Sequence, residues 1–185
     1  MAVLSDRPPM ARTLEGDRAE AQASGGRTES NDPAAIGQFG AIQTAAPSLG
    51  LEVSALNVLH IGEIESAVAA FARGTNVGLI VTASVLAVRG RNLIIAAAEK
   101  YKLPAVYYGR HFVAAGGLIS YGPDWTDQYK RAAGYVDRIL KGENPAELPV
   151  QAPTKYDLVI NMKTAKLLDL RIPPSLLARA DEVIE

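Results

Sequence analysis

The sequence contains no cysteine, which excludes disulfides, thiol nucleophiles and thiolate metal sites. Histidine is scarce too: only His60 and His111 occur. Neither has a second histidine or a carboxylate at ligand spacing, so ordinary loop positions suit them better than metal ligation. An excess of charge of one sign is missing, because 19 Lys and Arg face 20 Asp and Glu for a net charge of -1. A chain so balanced has no basic field with which to hold a phosphate backbone, so nucleic acid is not an expected partner. No apolar run approaches the roughly 20 residues that span a bilayer. The opening MAVLSDRPPMARTLEGDR has no apolar segment of secretory length and carries acidic residues early, so as written the chain is expected to stay in the cytoplasm.

What is present suits one domain with a tail. Of 185 residues, 48% are hydrophobic and 21% charged, enough apolar material for a core but too short a chain for two full lobes around separate cores. Residues 1–33 read as a poorly ordered arm, because from Ser5 onward they are dense in Arg, Glu, Asp, Ser, Gly and Pro without apolar periodicity. A short helix from Pro9 to about Ala23 would have too thin an apolar face to anchor it. From Ile36 the pattern changes. Ile36, Phe39, Ile42 and Ala46 recur at helical spacing up to a break at Pro47 to Gly50, and LEVSALNV then reads as a short strand. Ile64, Val68 and Phe71 share one face of a helix from Gly62 to Arg73. GLIVTAS is a short apolar run of the kind that strands covered on both faces show, and it leads into a helix from Val85 to Tyr101. Pro104 to Tyr108 and GGLISYG are two further strands.

Short strands alternating with longer helices argue for βαβ units, hence an α/β fold with a parallel, doubly wound sheet over residues 34–123. Residues 124–185 follow as a helix, a connector and a terminal segment. The helix runs from Asp124 to Lys141 with Asp124 as its N-cap and Tyr129, Ala133, Val136 and Leu140 on one stripe. ENPAELPVQAPTK is a Pro-rich connector, DLVIN a strand, and KTAKLLDL and PSLLARADEVIE are expected as short helices.

No nucleophile elbow, P-loop or dinucleotide fingerprint follows any strand, and Glu63 and Glu65, two apart on a helix, cannot act as a pair. Nothing points to catalysis or to a cofactor. Open α/β sheets take ligands outside the carboxyl ends of their strands, which directs attention to two places. The first holds Thr82, Ala83 and Ser84, where a hydroxyl and free N–H groups could hold a carboxylate or amide; Ser84 serving only as a helix cap is an equal alternative. The second holds Tyr107 and Tyr108, whose rings could wall an apolar ligand, although alternation along a strand sends one of them into the core. With Tyr121 these residues are expected to border one concavity.

The segments GGLISYGPD, YKRAAGYVDRILKGENPAELPVQAPTKYDLVINMKTAKLL and IPPSLLARADEVIE, with AIGQFGAIQTAAPSLGLEV, GLIVTAS and LPAVYYGRHFVAAGG, carry a specific resemblance. From about Asp32 to Glu185 the sequence resembles the ABC-transporter substrate-binding family that includes tryptophan- and tyrosine-binding proteins. The resemblance implies a type I periplasmic binding fold, two lobes closing on a small organic solute such as an amino acid, without chemistry, in the periplasm and beside an ABC permease.

The match covers the second half of such a protein only. It implies a second lobe without the first, and a helix at 124–141 deprived of its usual cover and open to self-association. It also implies that LEVSALN lacks its interior neighbour, because SGGRTES stands where the family has an apolar strand. The competing expectation is a single-domain α/β interaction or regulatory module that uses this helix as its partner surface.

Overall fold

Residues 1–5, 33–74 and 76–185 are described by the computed structural model. The helix considered over Pro9 to Ala23 and most of the expected arm lie outside them. The described chain divides into two compact units, Met1–Val106 and Tyr107–Glu185.

The first unit is α/β. It begins with a strand inside the expected arm, β1 (Ala2–Ser5), followed by α1 (Pro33–Ala45), β2 (Glu52–Ala55), α2 (Ile64–Phe71), β3 (Val77–Val81), α3 (Val85–Arg89), α4 (Arg91–Lys100) and β4 (Ala105–Tyr107), whose last residue is counted with the second unit. The strand order is β2-β1-β3-β4. β1 runs antiparallel to both neighbours, with Val3 opposite Ser54 on one side and Leu79 on the other. This corrects one expectation, because LEVSALN does have an interior neighbour; β1 adds antiparallel pairs to the expected α/β sheet. Facing β2 and β3 edges would otherwise leave two rows of backbone N–H and C=O groups unpaired inside a sheet. A short segment of small and apolar residues satisfies both rows, and antiparallel pairing is at least as stable per residue as parallel. Ala2 and Val3 are accordingly buried.

α2 buries Ile64 and Val68 and packs against α4, with Glu65 and Lys100 forming an ion pair across the contact. The helix expected from Val85 to Tyr101 is two helices joined at Gly90. A Cβ at Gly90 would lie 2.5 Å from Ile64 Cδ1, so bare backbone is what lets α2 approach there. Elsewhere α1 ends in a single turn closed by Gly50, whose φ of 69° is the left-handed conformation that glycine adopts without steric cost.

The second unit holds α5 (Arg110–Val113), β5 (Ile119–Pro123), α6 (Trp125–Leu140), β6 (Tyr156–Asn161), α7 (Met162–Leu167), α8 (Pro174–Leu177) and β7 (Glu182–Ile184). β5 and β6 pair antiparallel with Tyr121 opposite Leu158, and β6 pairs with β7 in parallel. The helix expected over PSLLARADEVIE stops at Leu177, and its last residues are strand instead. Asp181 decides this: its N–H donates to the Leu158 carbonyl at 2.9 Å while its carboxylate accepts from the Leu158 N–H at 2.7 Å, clamping the chain beside β6. Leu118, Ala165 and Leu168 form a buried cluster, with Ile119, Leu170 and Ile172 packed on it. The α7 end of β6 is tied in by Asn161, which caps α7 through the Thr164 N–H and donates to the Val113 carbonyl.

Candidate functional site

A cavity of about 170 Å³ opens in the first unit where β2 and β3 end. β2 contributes Ala55 and the residues that follow it, Leu56, Asn57, Val58 and Leu59; β3 is followed by Thr82 and Ser84; the first turns of α1 bring Ala35, Ile36 and Phe39; Met1 and Leu86 complete the lining. Nine of these residues are apolar, so the wall suits a hydrocarbon or ring surface, with Asn57, Thr82 and Ser84 as its polar side chains.

Local hydrogen bonding fixes the loop after β3. The Ala83 N–H donates to Gln38 Oε1 at 2.8 Å, joining the loop to α1. Ser84 Oγ accepts from the Ala87 N–H at 3.1 Å and is the N-cap of α3. Two donors that the sequence offers to a ligand are thus already used, and what Ser84 retains is its hydroxyl proton. Thr82 is buried at the cavity edge. The other wall is held by Glu63, whose carboxylate accepts from the N–H groups of Leu59 and His60 at 3.0 and 3.2 Å. These backbone donors hold the Glu63 carboxyl below its ordinary value. Glu65 instead faces Lys100, so the two glutamates have separate structural tasks.

Of the six residues singled out from the sequence, the structure places Thr82 and Ser84 on the cavity and Ala83 between them, its amide taken by Gln38. The tyrosines stand in the second unit. Tyr107 is 1% exposed and stacks on Phe112 at 4.8 Å between ring centroids, so it presents no ring to a ligand. Burial pushes its phenol well above the ordinary value. Tyr108 packs edge-on against His111 and Phe112. Tyr121 is exposed and stacks on Tyr156. Arg110, beside them in sequence, is engaged by Glu182 through two hydrogen bonds of 2.7 Å. Sequence reading missed Gln38, Phe39, Asn57 and Leu59. Gln38 had a signal, as one of few polar groups on an uncharged helix, whereas the loop 56–59 had none beyond following a strand.

A sequence model described as ABC transporter substrate binding protein matches residues 28–184. The chain belongs to the ABC transporter substrate binding protein family. Two solved structures of similar sequence agree. A conserved domain protein from Vibrio cholerae O1 biovar El Tor is 27% identical with a TM-score of 0.72, over 80% of this chain and 50% of that one. The ABC domain from Streptococcus pneumoniae in complex with L-Trp is 28% identical with a TM-score of 0.73, over 80% of this chain and 51% of that one. A ligand-free, open substrate binding protein with adhesive properties from Clostridium difficile shares the fold at 17% identity and a TM-score of 0.61, over 84% of this chain and 52% of that one. This family member therefore spans about half the length of the solved structures it matches. No match was found among curated proteins. Among the described residues no helix is long and apolar enough to cross a membrane, and no group of three or more His, Asp or Glu is placed to hold a metal ion.

Proposed function

We propose that the chain is a solute-binding lobe of an ABC importer, and that the cavity at the ends of β2 and β3 is its wall for a small organic solute. The observation that carries this reading is position: the cavity lies outside the carboxyl ends of two strands, where open α/β sheets take ligands. Family membership supports it, and so does the L-Trp complex of the Streptococcus pneumoniae relative, which makes an amino acid with a large apolar side chain the first solute to test. Ile36, Phe39 and Leu59 would meet the apolar part, and Thr82, Asn57 and the Ser84 hydroxyl would meet polar groups. The task is capture and release, with no bond made or broken, in the periplasm or outside the cell and in company with a permease.

A cavity of about 170 Å³ is smaller than the roughly 300 to 1,000 Å³ of sites that enclose a ligand of drug size, so one wall binds weakly. Titration of the isotope-labelled chain with L-Trp, followed by amide chemical shifts, tests the proposal. Millimolar-range shifts concentrated at Phe39, Leu59, Thr82 and Ser84 are expected. Shifts confined to the second unit, or none at the solubility limit of L-Trp, would overturn it.

A further inference from the structure

α1 forms one side of the solute cavity, and burial alone holds it there only loosely. None of its described side chains is buried, and Ile36, which lines the cavity, is 56% exposed. The helix carries no charged residue with which to pair. Gly37 and Gly40 interrupt it although an added Cβ would meet nothing within 4 Å at either, so no close packing calls for them, and each weakens the helix through its backbone freedom. Thr44 turns its hydroxyl back to the Gly40 carbonyl of the same helix. Among the described residues, one side-chain hydrogen bond leaves α1: Gln38 Oε1 accepts from the Ala83 N–H at 2.8 Å, 45 positions along the chain.

We propose that Gln38 is the positioning residue of this cavity, a latch that holds α1 against the loop after β3. Its place supports the role. Gln38 stands in the chain between Ile36 and Phe39, and Ala83 between Thr82 and Ser84, and those four neighbours all line the cavity. The latch thus sets the spacing between an apolar side, Ile36 and Phe39, and a polar side, Thr82 and Ser84. Neither Gln38 nor Ala83 is part of the lining, so their hydrogen bond lies behind the cavity surface and competes with no solute group. That distinguishes a latch from a plug: a carboxamide occupying a donor inside the cavity would have to leave before a solute carboxylate could bind. With the latch open, Ile36 and Phe39 are free to move away from the solute. A hydrogen bond open to solvent is worth a factor of roughly three to ten in an equilibrium, which sets the size of the effect. The inference deepens the solute-binding reading and rests on it.

The test compares the full chain with Gln38→Leu, which removes the accepting oxygen but keeps helix propensity, and with Gln38→Glu, which keeps the oxygen. Gln38 is exposed, so neither change disturbs the core. Two quantities are measured: hydrogen exchange of the Ala83 amide without solute, and the Kd for L-Trp from amide chemical shifts. In Gln38→Leu, exchange at Ala83 should quicken roughly threefold to tenfold and the Kd should rise by a similar factor. Gln38→Glu should return both towards the parent values. A bond serving stability alone would shift the urea midpoint and leave the Kd where it was, and a plug would make Gln38→Leu bind more tightly; either result overturns the proposal. So does unchanged exchange at Ala83, or failure of Gln38→Glu to restore binding. The two readings fail differently. A parent chain with no shifts at the cavity overturns the solute site and the latch with it, whereas a parent chain and a Gln38→Leu variant that bind L-Trp equally overturn the latch alone.

Discussion

At Gly122 an added methyl would stand 1.9 Å from the Tyr108 carbonyl oxygen, a backbone atom that cannot step aside. At Gly134, in the middle of α6, it would meet nothing within 4 Å. Opposite outcomes follow for the same substitution. Gly122→Ala should cost about 3 kcal/mol by overpacking, and Gly134→Ala should gain about 0.5 to 1 kcal/mol by removing unfolded-state freedom from a helical position. Urea unfolding midpoints of the two variants check both signs. The tyrosines show how far such detail was legible beforehand. Alternation along a strand says that one of Tyr107 and Tyr108 turns inward, but only the stack on Phe112, with Gly117 lying under the Tyr107 ring, selects Tyr107.

Among the elements, β1 and α6 carry the sharpest consequences. Val3→Asp would put an unpaired carboxylate between β2 and β3, and burying such a charge costs several kcal/mol. Hydrogen exchange should then show protection of the β2 amides falling by roughly 100-fold or more; unchanged protection would mean that β1 does not hold that place. At the start of α6, Asp124 accepts from the Thr126 and Asp127 N–H groups at 2.9 and 3.1 Å and from Lys155 at 2.7 Å. Lys155 first, and the capping N–H groups after it, hold the Asp124 carboxyl below 3.8. A depressed carboxyl stabilises the fold fully above its unfolded pKa and loses that contribution as pH falls through the folded value. Asp124→Ala should therefore lower Tm at pH 7, and the gap to the parent chain should close as pH drops below 3.8. A gap that stays constant into acid would show that the contribution of Asp124 does not depend on its negative charge. The cap itself was plain in the sequence, since Asp before a periodic run is a helix start; Lys155, 31 residues away, was not.

For the molecule as a whole, the proposed solute site has a single wall, and that sets the scale of the binding to be measured. With a Kd near about 1 mM, roughly 10 mM L-Trp adds about 1.4 kcal/mol to stability, which is a rise in Tm of about 3 to 5 °C for a chain of this size. Differential scanning calorimetry will read it. A rise above roughly 10 °C would mean a site far better enclosed than this cavity. The α/β class, the amphipathic stripe of α6 and the family were all legible in the sequence, because periodicity and local motifs record which faces an element can bury. The division at Val106 was not legible, because it depends on which elements touch.

The sequence alone determined the repeating pattern of strands and helices, the N-cap at Asp124, the small polar cluster at Thr82 to Ser84 and the kinship with substrate binding proteins. The cap and the cluster are local, resting on residues within a few positions of one another, and the pattern and the kinship are sums of such local motifs along the chain. Only the tertiary structure decided that Ala2–Ser5 fills an interior strand position and runs antiparallel, that Gly90 divides one helix into two beneath Ile64, that Glu182–Ile184 is strand, and that Gln38 takes the amide offered by Ala83. Each of these is settled by a backbone or side-chain group far away in the chain. Hydrogen-bonding groups must be paired wherever burial removes water, and the sequence does not say which distant segment will supply the partner.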